Sequence, residues 1–178
     1  MTTEGSAQGV QESLKEVMRG FPQGVTVVTT KANGRLWGIT VSSFTTVSLV
    51  PPIVLVSLMK NNYFSDAFAS ATGFAVNFLA DNQKSISDRF AGRTPLVDRF
   101  KGLPHHSDGD AFPVIEGVVG FLQCRKWREY DDGDHILLLG EVLKAKRLNH
   151  KAPLVYYMQQ YTTVVPPQRS ASSEDVLW

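Results

Sequence analysis

The dipeptide Asn33-Gly34 constrains this chain more than any other feature. It sits between a run of β-branched residues at 25–30 (VTVVTT) and a second strand-like run that begins at Gly38. A two-residue type I′ turn needs positive φ at both central positions, which Asn and Gly tolerate best. The chain must therefore double back there as an antiparallel hairpin. More strand-like runs follow at 53–58, 73–79, 118–127, 135–148 and 154–165. A turn containing Asp131, Asp132 and Gly133 joins the runs at 118–127 and 135–148. Strands that succeed one another through hairpins predict a mainly β fold, an antiparallel sheet or barrel of six or seven strands. Three peripheral helices accompany it.

The first of these helices shows Leu14, Val17, Met18 and Phe21 at helical spacing, with Ser13 and Glu16 at capping-box spacing. The second covers 61–71, with an Asn as its cap. The third covers 81–92, with Asp81 as cap and Gly92 as terminator. Residues 93–117 read as a long irregular connection. No internal repeat or linker divides the chain. The expected organisation is a mobile N-terminus (1–10), one domain (11–165) and a C-terminal tail (166–178).

Composition bounds the function. The 178 residues are 43% hydrophobic, enough for a globular core. Net charge is +1, with Lys and Arg scattered, so no nucleic-acid partner is expected. No apolar run approaches the roughly 18 residues of a membrane span. Cys124 is the one cysteine, which excludes an intrachain disulfide and a cysteine-rich metal site. The first residues do not resemble a signal peptide, so a cytoplasmic protein is expected. The patterns G-x-S-x-G, G-x-G-x-x-G, H-E-x-x-H and the P-loop are absent. His105 and His106 lie near Asp108 and Asp110, yet loop clusters of this kind are usually solvated, and no metal is expected.

Three features could act together. Residues 38–52 (GITVSSFTTVSLVPP) start as an alternating strand, then lose phase at Ser43 and Phe44 and end at two prolines. A strand that leaves its alternation frees backbone groups to meet a ligand, and small hydroxyl residues allow close approach. The same residues also suit an edge strand with exposed Ser and Thr. In the second feature, Ser57, Lys60 and Asn61 precede a helix whose first turn holds Ser65. A helix N-terminus with a nearby Lys can cradle a phosphate, or simply be a capped surface helix. The third is His135, where a polar turn enters an apolar strand. It can contact a ligand edge or serve as a strand-end residue. A flat polar ring with an attached phosphate, met by a second reactant, would use all three, and flavin has that shape.

With those residues in view, the chain resembles the short-chain NAD(P)H:flavin oxidoreductases, the flavin reductase components of two-component monooxygenases. The resemblance runs from about residue 14 to 165 through GVTVVTT, GITVSSFTTVSLVPPIVLVSL, FAVNFL, SDRFAG, GDH and PLVYY…Y. It implies a flavin-binding split β-barrel and a homodimer, with flavin near the subunit interface. It implies that Gly38, Ile39, Thr40, Val41, Ser42 and Ser43 line the ring of FMN or FAD. Ser57, Lys60, Asn61 and Ser65 would hold the ribityl phosphate, and Arg89 and Phe90 a second flavin-contacting segment. His135, Tyr156, Tyr157 and Gln159 would meet NADH or NADPH, with hydride passing from nicotinamide C4 to flavin N5. The reduced flavin would then serve a monooxygenase. The alternative is a flavoprotein that retains FMN and reduces ferric or other acceptors, or carries electrons. Asn62, Tyr63 and Phe64 stand where relatives often have a small Ser or Thr, which leaves FMN and FAD both open.

Overall fold

The computed structural model describes residues 3–60, 64–93, 98–107 and 112–165. Helix α1 (Thr3–Arg19) leads into β1 (Gln23–Gly24), β2 (Thr26–Ala32), β3 (Arg35–Val41), β4 (Thr45–Leu49) and β5 (Pro52–Met59). Helix α2 (Ser65–Ser70) and β6 (Gly73–Phe78) follow, then a 3-10 turn (Asp81–Gln83) and α3 (Lys84–Phe90). The short strands β7 (His105–His106) and β8 (Val114–Ile115) precede the long hairpin of β9 (Gly120–Asp132) and β10 (His135–Arg147). The strands β11 (Leu154–Tyr157) and β12 (Gln160–Thr163) end the described chain.

The main sheet is antiparallel, in the order β3-β2-β6-β9-β10-β5-β4. Its two outer strands, β3 and β4, are separated in sequence by residues 42–44 alone. The four peptide steps between them reach at most about 14 Å. Six strand spacings across a flat sheet would need about 29 Å. The sheet must therefore curl until its edges meet. Ser43 marks the join: its Oγ donates to Ser57 O on β5 (2.8 Å) and accepts from Ser57 N–H (3.1 Å). The mainly β, antiparallel barrel expected from the hairpins is what forms.

The core lies on both sides of β2, which is why its β-branched run does not alternate with polar residues. Val28 joins Val54, Val56, Leu58, Phe68, Phe74, Val76, Cys124 and Leu138 on one side. Val27 joins Leu79, Phe90, Phe100, Ile115 and Leu154 on the other. The threonines of this strand are buried, and their hydroxyls donate to the carbonyls of Val41, Pro113 and Gly73.

Several sequence expectations are corrected. Helix α1 begins at Thr3 rather than near Ser13, and Ser13 Oγ donates to Gly9 O (2.9 Å) inside it. A serine can bond back one turn as readily as it caps. Ala80, not Asp81, caps the turn before α3, because Gln83 Oε1 accepts from Ala80 N–H (3.0 Å). Gly92, with φ of 78°, does follow the end of α3. Phe64 is the N-cap residue of α2, with no side-chain cap bond, while Asn61 and Asn62 lie outside the described residues. Residues 38–49 form two strands at opposite edges rather than one. Strand β9 runs on through Asp131 and Asp132, so Gly133 and Asp134 make the turn. The expected strand at 154–165 is the hairpin of β11 and β12, turned by Met158 and Gln159 at φ of 47° and 61°. Asp108, Asp110 and residues 166–178 lie outside the described residues.

Candidate functional site

The curl of the sheet opens a groove where β3 approaches β5. Its volume is about 520 Å³, within the usual range for small-molecule sites. Ile39, Thr40, Val41, Ser42, Ser43, Ser57, Phe90 and His135 line it, joined by Met59, Phe64, Ala91 and Arg99. Eight of the residues singled out from the sequence thus meet in one place. They arrive from β3, the link after it, β5, α3 and β10.

Pairing of β10 with β5 sets His135 opposite Met59. The ring is held by Asp134, whose Oδ1 lies 2.6 Å from His135 Nδ1. That bond holds the Asp134 carboxyl below its ordinary pKa. Nε2 of His135 has no partner among the described residues. The hydroxyls of Thr40 on β3 and of Ser42 and Ser43 in the link are spent within the protein. Thr40 Oγ1 donates to Ser87 O (2.7 Å), Ser42 Oγ to Gln23 Oε1 (2.9 Å), and Ser43 to Ser57 as above. They fix the shape of the groove wall and are not free donors. Phe44 is explained by an edge-to-face contact with Phe78 (5.1 Å, 83°) in the core.

Other expected site residues stand elsewhere. Gly38 does not line the groove; a Cβ there would come within 2.5 Å of Phe90 Cε1, so core packing accounts for the glycine. Lys60 Nζ donates to Gly133 O (2.8 Å) and pairs with Asp131, which commits it to the β9–β10 turn. Ser65 is buried at the start of α2. Arg89 Nη1 donates to the carbonyls of Arg99 (3.4 Å) and Lys101 (3.3 Å). Tyr156, Tyr157 and Gln159 line a neighbouring groove of about 530 Å³ with Lys15, Met18 and Arg19. Ser42 belongs to both grooves.

Arg99 was missed by sequence reasoning. Its guanidinium lies over the Phe64 ring (4.2 Å), and Nη1 donates to Phe90 O (2.7 Å). Burial pulls its pKa below the ordinary arginine value. The signal was available: Asp98-Arg99-Phe100 repeats Asp88-Arg89-Phe90 ten residues on. Among the described residues no group of His, Cys, Asp and Glu could hold a metal. None of the described helices is long and apolar enough to cross a membrane.

The donor set suits a flavin. Ile39, Met59, Phe64 and Phe90 supply apolar walls for a flat ring, and Arg99 and His135 supply groups for polar edges or phosphate. The chain is 38% identical over 165 residues to the reductase component of a flavin-dependent trigonelline monooxygenase from Acinetobacter baylyi. That match covers 92% of this chain, which spans only about half (51%) of the relative's length. It is 38% identical over 135 residues to the FMN reductase (NADH) SmoA of Agrobacterium fabrum, covering 75% of each. Among solved structures, the NADH:FAD oxidoreductase of Streptomyces globisporus in complex with NAD and FAD fragments is similar, with a TM-score of 0.78 and 32% identity. That likeness covers 93% of this chain and 95% of the other. Residues 18–164 match the flavin reductase like domain, and the chain belongs to that family.

Proposed function

We infer that this protein is an NAD(P)H:flavin oxidoreductase that supplies reduced flavin to a monooxygenase. The observation that carries the reading is the single groove that gathers Ile39, Thr40, Val41, Ser42, Ser43, Ser57, Phe90 and His135 in a chain of this family. FMN or FAD, when bound, accepts hydride from the nicotinamide and carries two electrons away. The protein's task is then binding and orientation rather than acid–base chemistry. Ile39, Met59 and Phe64 exclude water from the ring. The backbone of residues 39–43, shaped by its internally bonded hydroxyls, meets the ring's polar edge. His135, its Nδ1 occupied by Asp134, offers Nε2 to the nicotinamide at the groove mouth. Tyr156, Tyr157 and Gln159 extend the surface available to the nucleotide through the groove shared at Ser42.

Both the Agrobacterium and the Streptomyces relatives are named as NADH enzymes, which supports NADH as the donor. The Acinetobacter relative is named as a monooxygenase component, which supports a monooxygenase as the recipient. Leu14, Val17 and Phe21 on and just after α1 are exposed in the single chain, and a second copy forming a homodimer would cover them. The protein works in the cytoplasm in this reading. Its affinity for flavin is micromolar, roughly −8 kcal/mol, so that the reduced product can leave.

The test is oxidation of NADH and NADPH by the purified protein with FMN and FAD, followed at the nicotinamide absorbance. Turnover that rises with added flavin is expected. No flavin-dependent oxidation of either nucleotide refutes the reading. Gel filtration separates the retained-flavin alternative, which requires yellow protein to emerge with its flavin.

A further inference from the structure

We propose that Arg99 is the anion seat of the groove and receives a phosphate group of a bound nucleotide. This rests on the reading of the groove as a flavin and nicotinamide site. Among the described lining residues, Arg99 is the permanent cation; His135 is the other group able to carry positive charge. Lys60, which the sequence offered for a phosphate, is committed to Asp131 and Gly133.

Several other cations have carboxylate counter-ions. Lys84 and Arg93 pair with Asp88, Arg125 with Glu141, and Lys126 with Glu129. Among the described residues no carboxylate pairs with Arg99. Burial already disfavours its charge. A half-buried charge without a partner is costly, and an arriving anion offsets that cost.

The guanidinium is also held in place. One face rests on Phe64, and Nη1 is anchored on Phe90 O. The next residue, Phe100, is 5% exposed in the core, and its N–H is taken by Asp98 Oδ1 (2.9 Å). The backbone carbonyl of Arg99 accepts from Arg89. A guanidinium has five N–H donors in a planar fork. One anchoring bond leaves the rest for an acceptor of matching geometry, and phosphate is such an acceptor. Two nucleotides of the reaction carry phosphate: the ribityl phosphate of the flavin, and the phosphates of the nicotinamide nucleotide.

The experiment compares dissociation constants for paired ligands on wild type, R99Q and R99K. Quenching of flavin fluorescence gives FMN against riboflavin. Calorimetry gives nicotinamide mononucleotide against nicotinamide riboside. Wild type is expected to prefer the phosphorylated member of one pair, which identifies the source of the phosphate. In R99Q that preference falls by about tenfold to hundredfold, the size expected for a charge-assisted bond. Affinity for the unphosphorylated member stays within about twofold. R99K, with a point charge and no fork, keeps part of the preference.

Equal weakening of both members by R99Q overturns the proposal, since it shows that Arg99 only packs the wall. So does an unchanged preference. Should R99Q fail to fold, wild type and R99K decide, and a preference absent from wild type or undiminished in R99K overturns it. If wild type binds no flavin at all, the parent reading fails and the inference falls with it. Flavin binding that persists while neither pair shows a phosphate preference dependent on Arg99 sinks the inference alone.

Discussion

Asp88-Arg89-Phe90 and Asp98-Arg99-Phe100 are the same tripeptide ten residues apart, and the fold uses them differently. The two phenylalanines share a fate. Both are buried in one cluster and meet edge to face at 5.1 Å. The arginines do not. Arg89, in the last turn of α3, reaches across to the carbonyls of Arg99 and Lys101. Arg99, beyond the end of that helix, turns into the groove over Phe64. The aspartates diverge as well. Asp88 accepts from Lys84, Arg93 and Tyr161, whereas Asp98 accepts from the N–H of Phe100. Burial of the ring is common to both copies, and backbone context decides where the charged neighbours go.

The strongest way to break this comparison is to remove the rings. Phe90→Ala and Phe100→Ala should each cost about 3–5 kcal/mol, as large core truncations do. Urea unfolding followed by circular dichroism measures this. Similar costs support an equivalent role for the two rings. A cost under about 1 kcal/mol at either position would show that the copies differ in packing too.

A smaller effect is expected at Gly38. Its added Cβ would lie 2.5 Å and 2.7 Å from ring atoms of Phe90, which is fully buried. Overpacking of this kind costs about 1–3 kcal/mol. In the Phe90→Ala background the obstructing ring is gone, so Gly38→Ala should cost much less there. Additive costs in the double variant would mean that Phe90 is not what requires the glycine.

The positions of these residues along the chain were partly legible. Asn33-Gly34 announced its hairpin, and both residues have positive φ, at 52° and 73°. The broken phase after Val41 was visible, but its cause was not. It reflects a crossing from one edge of the sheet to the other, with Ser43 bonded to Ser57. Which strands form the edges depends on non-local pairing, which local patterns do not contain. Lys60 was assigned to phosphate by its charge. The pairing of His135 with Met59 brings the β9–β10 turn to it instead, and that turn claims the lysine. Arg99 could have been found from the repeated tripeptide. Its direction could not, because the turn into the groove is made by tertiary contacts.

Asp88 offers the next test. Its pKa is held below the ordinary carboxylate value, first by the hydrogen bond from Lys84 and then by those from Tyr161 and Arg93. Tyr161 OH also lies 2.8 Å from Ser87 Oγ, which ties α3 to β12. The folded protein therefore binds this proton less readily than the unfolded chain. The stabilisation is full above the ordinary carboxylate pKa of about 4 and disappears as pH falls through the depressed folded value. Asp88→Asn should lower stability by about 1–2 kcal/mol near pH 7. The gap between wild type and variant should narrow below about pH 4. A gap independent of pH would show that the charge of Asp88 is not what matters. Asp98 makes no ion pair among the described residues and accepts one backbone bond, so Asp98→Asn serves as the control for loss of a carboxylate.

Arg89→Gln should have the smallest effect and sharpens the comparison most directly. Its two bonds to carbonyls are long, at 3.3 Å and 3.4 Å, and one acceptor is exposed. Their loss should cost no more than about 1 kcal/mol. Arg89 touches the groove only by supporting the backbone of Arg99, so the preference for a phosphorylated ligand should fall less than about twofold. The same binding measurements on R99Q are expected to show a loss at least several times larger. If the order is reversed, with R89Q losing the preference and R99Q keeping it, then Arg89 reaches the ligand in the bound state. The two copies of the tripeptide would have exchanged roles, and the conformation that holds Arg89 against residues 99–101 would be one that binding replaces.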